Sequence, residues 1–183
     1  MIEICRVGVL TVSDRAFQGV YEDQSGPAIE ELLQKIISGP LQVLLQIVPD
    51  EMALIEAALI DMADNEGCQL ILTTGGTGPA PRDVTPDATE KIADKVLDGF
   101  GERMRAISLK YVPTAILSRQ IGAIRGKALI INLPGQPKAI NETLVELFEA
   151  IPYCIELVSG LAIETNEQIV KAYRPKSASA QSN

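Results

Sequence analysis

The chain has 183 residues, 46% of them hydrophobic, and 16 basic against 24 acidic side chains give a net charge of −8 with no histidine to adjust it. That length suits one domain with a real core, and no apolar run approaches the ~18 residues that would suggest a membrane span. Without histidine, Ser-His-Asp and Cys-His nucleophiles, His-x-Glu zinc deaminases and all His-bearing metal sites are excluded, leaving carboxylate, lysine, arginine and backbone chemistry.

The first residues, Met-Ile-Glu-Ile-Cys-Arg, carry no pattern of a signal or transit peptide, so a cytoplasmic location is expected. Residues 6–12 (Arg-Val-Gly-Val-Leu-Thr-Val) read as a strand buried on both faces, followed by a loop over 13–25. From Pro27, apolar residues at 28, 29, 32, 33, 36 and 37 predict an amphipathic helix that Gly39-Pro40 ends. Residues 42–48 form a second strand stopped by Pro49, and 51–66 a helix closed by Gly67. Residues 68–73 are a third buried strand, and 74–83 a Gly/Pro loop. A helix then opens at Thr85-Pro86, with threonine as the cap, and breaks at Asp98-Gly99. Short helices are expected over 101–109 and 113–120, a fourth strand over 128–133, and a helix from 138 to 151 that Pro152 disturbs and 153–158 resumes. An edge strand is expected near 168–172, and the Ser/Ala/Gln tail 176–183 is expected to be disordered.

Strands alternating with helices imply a three-layer α/β/α domain over residues 1–175 with a mostly parallel sheet. Such sheets bind ligands at the carboxyl ends of their strands, where the chain order reverses. The three cysteines, Cys5, Cys68 and Cys154, lie far apart in apolar stretches and read as buried small hydrophobes. Between Thr73 and Lys138, ten basic residues face six acidic ones, a local excess of +4 that leaves −12 for the rest. A locally positive centre fits a small polyanion, whereas nucleic acid would need a broader basic face and more aromatics than three Phe and four Tyr.

The third strand delivers Thr74-Gly75-Gly76-Thr77-Gly78-Pro79-Ala80-Pro81-Arg82-Asp83 and then the Thr85-Pro86 helix start. Glycine amides, threonine hydroxyls and a helix N-terminus make a phosphate cradle in outline, without the spacing of a P-loop or a dinucleotide fingerprint. Asp83 lies in this loop and Asp50 follows the second strand. If those two strands are neighbours, both carboxylates converge on the cradle as a magnesium site, while Asp50 reads equally well as a helix cap. Ser13-Asp14 ends the first strand, where it could contact a ligand or make an ordinary turn. The fourth strand ends in Pro134-Gly135-Gln136-Pro137-Lys138, and a lysine at a helix start favours a compensating anion. Arg105 and Ser118-Arg119 are possible further contacts, although arginines read first as solvated surface.

Together these strings resemble the molybdopterin adenylyltransferase family of molybdenum cofactor biosynthesis. The matching stretches are Thr11 to Ala16, Gly19 to Pro27, Pro49-Asp50-Glu51, Thr73 to Gly78 through Asp87-Ala88-Thr89, Pro113 to Arg119, and Leu133 to Lys138, spread over nearly the whole chain. The resemblance implies a compact α/β trimer that binds molybdopterin and MgATP and transfers AMP to the terminal phosphate of molybdopterin, releasing pyrophosphate. It makes Asp50 and Asp83 the essential acidic pair holding magnesium. It sets Thr74, Gly75, Gly76, Thr77 and Gly78 against the pterin-phosphate side and Ser118 near the pterin. Ser13, Asp14 and the Pro134-Gly135 turn, followed by Lys138, lie nearer the nucleotide. The molybdenum-insertion enzyme is an implied partner. The chain departs from the family pattern at Pro81, where a second arginine is common, and in the short segment before Pro152. Two other readings stay open: a non-catalytic molybdopterin carrier of the same fold and, more weakly, a nucleotide-pyrophosphate hydrolase.

Overall fold

The computed structural model describes residues 4–175; the tail expected to be disordered lies outside them. The first apolar run becomes β1 (Cys5–Val12), and its alternate residues serve different helical layers. Val7 and Val9 pack on one face with Ile29, Leu33 and Ile36, while Leu10 and Val12 pack on the other with Ile55 and Leu59. A strand covered on both sides has no solvent face, which is why its sequence is apolar throughout.

The remaining elements follow in chain order. A single turn, α1 (Asp14–Phe17), lies within the expected loop, and α2 (Ser25–Ile36), β2 (Leu41–Val48) and α3 (Met52–Ile60) come next. The α3 backbone widens into a π turn over Asp61–Asn65. Then come β3 (Leu70–Thr74), α4 (Thr85–Ile92), β4 (Lys95–Leu97), α5 (Asp98–Ser108), a 3₁₀ turn (Pro113–Leu117), β5 (Gly122–Arg125), β6 (Ala128–Leu133), α6 (Pro137–Leu147) and α7 (Ile151–Ser159). Pro152 occupies the first turn of α7, where its missing N–H costs nothing. The short connection before it is a turn anchored by Phe148, which is fully buried.

The sheet runs β2-β1-β3-β6-β5-β4. Its first four strands are parallel; β5 runs antiparallel to β6, and β4 antiparallel to β5. From β1 the chain moves outward to β2 and then crosses back to β3 on the other side of β1, with α2 and α3 on opposite faces. Right-handed crossovers require that arrangement, and it opens a crevice beyond the carboxyl ends of β1 and β3. Alpha-helices α2, α6 and α7 cover one face, and α3 and α4 the other.

Several expectations need correction. The helix opening at residue 85 stops at Ile92, and 95–97 pairs with 122–125 as two short antiparallel strands. Neither has the length or apolar run that marks a strand in isolation. No strand forms at 168–172; the nearest pairing is an isolated bridge between Ile37 and Thr165. Expected positive charge in the middle of the chain is dispersed, because Lys91, Arg103 and Arg125 pair with Glu56, Glu146 and Asp64 from outside that stretch or its face. Cys5 and Cys68 are buried, and burial pushes their thiols up to about 12 and about 11, consistent with packing roles. Among the described residues, no helix is long and apolar enough to cross a membrane.

Candidate active site

Strand β3 ends against β1, and the chain must turn sharply to leave the sheet. Gly75 and Gly76 make that turn with φ of +98° and +63°. A Cβ on Gly75 would collide with the Val12 carbonyl oxygen, so only glycine lets the two backbones approach. Thr85 does not cap its helix; it is the first helical residue, and its hydroxyl donates 2.9 Å to the Gly75 carbonyl. The Thr85 N–H donates to the Gly76 carbonyl at 3.1 Å. The start of α4 is thereby stapled to the glycine turn, and α4 is held to the sheet by Asn132, which donates to Thr73 and Thr89 from a fully buried position.

The acids arrive by another route than expected. Strands β2 and β3 are not neighbours, since β1 lies between them. Asp50 nevertheless reaches the turn: a Cβ on Gly76 would lie 3.3 Å from Asp50 Oδ1. Asp83 comes from the far end of the loop, with Oδ2 accepting the Ala80 N–H at 3.0 Å and lying 2.7 Å from where a Gly78 Cβ would stand. The two carboxylates therefore flank residues 76–78. Asp50 does not cap α3, whose cap position is Glu51. Burial is the main influence on its carboxyl and raises its pKa; the Asp14 N–H and Arg82 counter this, and the charges of Asp14 and Asp83 reinforce it.

Residues 77 and 78 also border an open cleft of about 660 Å³, lined by Thr77, Gly78, Ser118, Pro134, Gly135 and Lys138 among others. Six residues singled out from the sequence thus share one wall. Ser13 and Asp14 are not part of that lining; the Pro134-Gly135 turn shares it with Thr77, Gly78 and Ser118. It is fixed from beneath by Thr74, whose hydroxyl donates 2.8 Å to the Pro134 carbonyl, and from the side by Ser25, which donates 2.9 Å to the Gly135 carbonyl. Thr74 is itself buried and is not part of the cleft lining. Lys138 extends its ammonium into solvent, 87% exposed, with Glu142 at 3.9 Å. Ser118 donates 2.6 Å to Gln120, which is buried against Asn132. Ser13 caps the α1 turn by accepting the Ala16 N–H, and it faces the Tyr21 hydroxyl at 3.0 Å.

Arg119 is the residue that sequence reasoning undervalued. Its backbone N–H donates to the Thr77 carbonyl at 2.9 Å, and its guanidinium donates to the Gly78 and Asp83 carbonyls and to both oxygens of Asp87. One side chain therefore joins both ends of the glycine loop to the first turn of α4. Nothing local in the sequence distinguishes it from the surface arginines. Arg105 likewise donates inward, to the Ser118 and Gln120 carbonyls. Asp23, two residues ahead of α2, collects the Ser25 and Gly26 N–H groups and the Thr11 hydroxyl; an aspartate just before a helix is a legible signal for that role.

The Arg119 guanidinium holds the Asp87 carboxyl below its ordinary value of 3.8. A carboxyl depressed in the fold contributes stability that is present above the unfolded pKa and is lost as pH falls through the folded one. Asp87→Asn is therefore expected to lower the urea midpoint modestly at neutral pH, the pair being about 40% exposed. Below the ordinary value of 3.8 its difference from the parent should shrink. Urea titrations at about pH 7 and about pH 3 measure both effects.

Comparison with known proteins finds relatives along nearly the whole chain. Residues 8–153 match the family described as "Probable molybdopterin binding domain". The molybdopterin adenylyltransferase of Helicobacter pylori is 56% identical over 96% of this chain and 99% of its own. That of Escherichia coli K12 is 52% identical over 94% and 95%. Among solved structures, the molybdopterin biosynthesis enzyme MoaB of Thermus thermophilus superposes with a TM-score of 0.79 at 44% identity, covering 90% of this chain and all of that one. The chain belongs to the molybdopterin-binding family that includes the bacterial molybdopterin adenylyltransferases.

Proposed function

We propose that the protein transfers AMP from MgATP to the terminal phosphate of molybdopterin, giving adenylyl-molybdopterin and pyrophosphate. The observation that carries this reading is the glycine turn at residues 75–78, which has the Asp50 and Asp83 carboxylates beside Gly76 and Gly78 and contributes Thr77 and Gly78 to the cleft. The names of the relatives at 50–56% identity support it.

The reaction suits a chain without histidine. A phosphate monoester has its second pKa near ~6, so the attacking oxygen is largely anionic at neutral pH and needs no general base. What remains is alignment of that oxygen with the α-phosphorus and neutralisation of charge on the departing pyrophosphate. Backbone amides of residues 75–78 serve as donors to phosphate, and their order is maintained by Arg119 and Thr85.

Asp50 and Asp83 are the residues that would hold magnesium. Two carboxylates beside a glycine turn fit magnesium, which commonly takes one or two carboxylates and completes its shell with phosphate and water. When bound, it supplies charge neutralisation on the phosphates. A homotrimer in the cytoplasm belongs to the same reading; β2, an edge strand of eight residues with Leu45 and Ile47 exposed, is a surface that association would cover.

The test is pyrophosphate release with ATP and molybdopterin supplied together and separately. Release that needs both, with a molybdopterin product carrying AMP, is the expected result. Molybdopterin binding with no release would show a carrier, and release with ATP alone a hydrolase.

A further inference from the structure

We propose that Arg82 and Asp14 act as one positioning unit that fixes the Asp50 carboxylate against the glycine turn, and that the Asp14 carboxylate serves this internal purpose and not a ligand. The inference rests on the function proposed above for its kinetic consequence, while the unit itself is read from contacts within the chain.

The parallel ladder between β1 and β2 ends with the Ser13 N–H donating to the Val48 carbonyl at 2.9 Å. Pro49 has no N–H to continue it. Two side chains take over where the backbone stops: the Asp14 N–H donates 2.8 Å to Asp50 Oδ2, and the Asp50 N–H donates 3.0 Å to Asp14 Oδ1. Each aspartate thus holds the backbone of the other, and the rotation of the Asp50 carboxylate is set by the amide it accepts.

Arg82 completes the arrangement. Its Nε donates 2.7 Å to Asp14 Oδ2 and its Nη2 donates 2.9 Å to Asp14 Oδ1, a two-point grip in the plane of the carboxylate. The same Nη2 reaches Glu51 Oε1 at 2.9 Å. Asp14 therefore accepts from three donors, which leaves it poorly suited to a ribose hydroxyl. Because Arg82 immediately precedes Asp83 in the glycine loop, this contact joins the chain leaving β1, the chain leaving β2 and the chain leaving β3. An exposed ion pair ordinarily contributes little. Here the pair is bidentate and shares its carboxylate with a backbone amide, so removing it releases Asp50 as well as a surface contact.

The experiment uses Arg82→Gln, Asp14→Ala and the double variant of the full chain, read by two independent methods. Without substrate, amide hydrogen exchange at Asp14 and Asp50 is expected to quicken by about tenfold or more in Arg82→Gln, relative to amides in the buried strands. In AMP transfer, each single variant is expected to lose about ten- to a hundredfold in kcat with little change in the KM for ATP. The double variant should be no slower than the slower single one, because both changes remove the same unit. Arg82→Lys should rescue little, since one ammonium cannot grip a carboxylate at two points in that plane. Unchanged amide exchange overturns the proposal, as do losses that multiply in the double variant. A raised KM for ATP at constant kcat also overturns it, because that result marks Arg82 as a direct phosphate contact. If exchange quickens as expected but the parent protein does not transfer AMP, the positioning unit stands and the functional reading falls.

Discussion

Exchanging Asp83 for asparagine is expected to lower AMP transfer by about 10²–10³-fold, the range seen when one preorganised electrostatic group is removed from a reaction centre. Asparagine keeps an oxygen that accepts the Ala80 N–H, so the turn survives and the charge alone is lost. Asp50→Asn should show a loss of similar size together with a second signature. Burial raises the Asp50 carboxyl above its ordinary 3.8, which means the ionised form is disfavoured in the folded protein. For an acid shifted upward, the cost to stability is present above the folded pKa and is relieved as pH falls through it toward the unfolded value. Asp50→Asn is therefore expected to be at least as stable as the parent at neutral pH, while Asp87→Asn is less stable. Urea midpoints measured beside turnover decide this. A carboxylate whose removal abolishes activity and does not weaken the fold is there for chemistry, and one whose removal weakens the fold is there for architecture.

The largest effect on stability is expected from Gly75→Ala. Its φ of +98° lies where L residues are strained, and the added methyl meets a backbone carbonyl, that of Val12, which has no rotamer through which to yield. Strained backbone and overpacking contribute about 1–3 kcal/mol each, so a loss of about 2–6 kcal/mol is expected. For a domain of this size, at about 2–4 °C per kcal/mol, that lowers the Tm by roughly 4–24 °C in a thermal scan. Gly19→Ala is a fitting control: its φ of +71° is also positive, yet no atom stands within 4 Å of the added methyl. Its loss should be smaller, leaving the conformational strain without the collision.

The buried strands and amphipathic helices were legible because their signals are local. An unbroken apolar run such as Val7 to Leu10 can only be satisfied between two helical layers, and Ile29, Leu32, Leu33 and Ile36 recur at the spacing that makes a helix face. Glycines 75 and 76, the acids at 50 and 83, and the turn at 134–135 also stood out, since residue type and position after a strand carry the meaning there. β4 and β5 did not: three and four residues long, they form only because they find each other and β6. Their pairing is a long-range contact that no window of sequence contains.

The same distinction divides the site. Residue content alone restricts the class of chemistry, because a chain with no histidine and with glycine, threonine and aspartate at its strand ends is left with carboxylates, lysine, arginine and backbone donors. Which of these groups stand side by side follows from the assembled sheet and its loops. The fold set β1 between β2 and β3, yet brought Asp50 to Gly76 through a loop. It turned Asp14 and Arg82 toward each other across 68 residues, and closed Arg119 over the glycine loop from a segment 41 residues beyond Gly78. Hydrogen bonds and ion pairs act over about 3 Å whatever the separation along the chain, so these partners acquire their roles only once the sheet has been assembled.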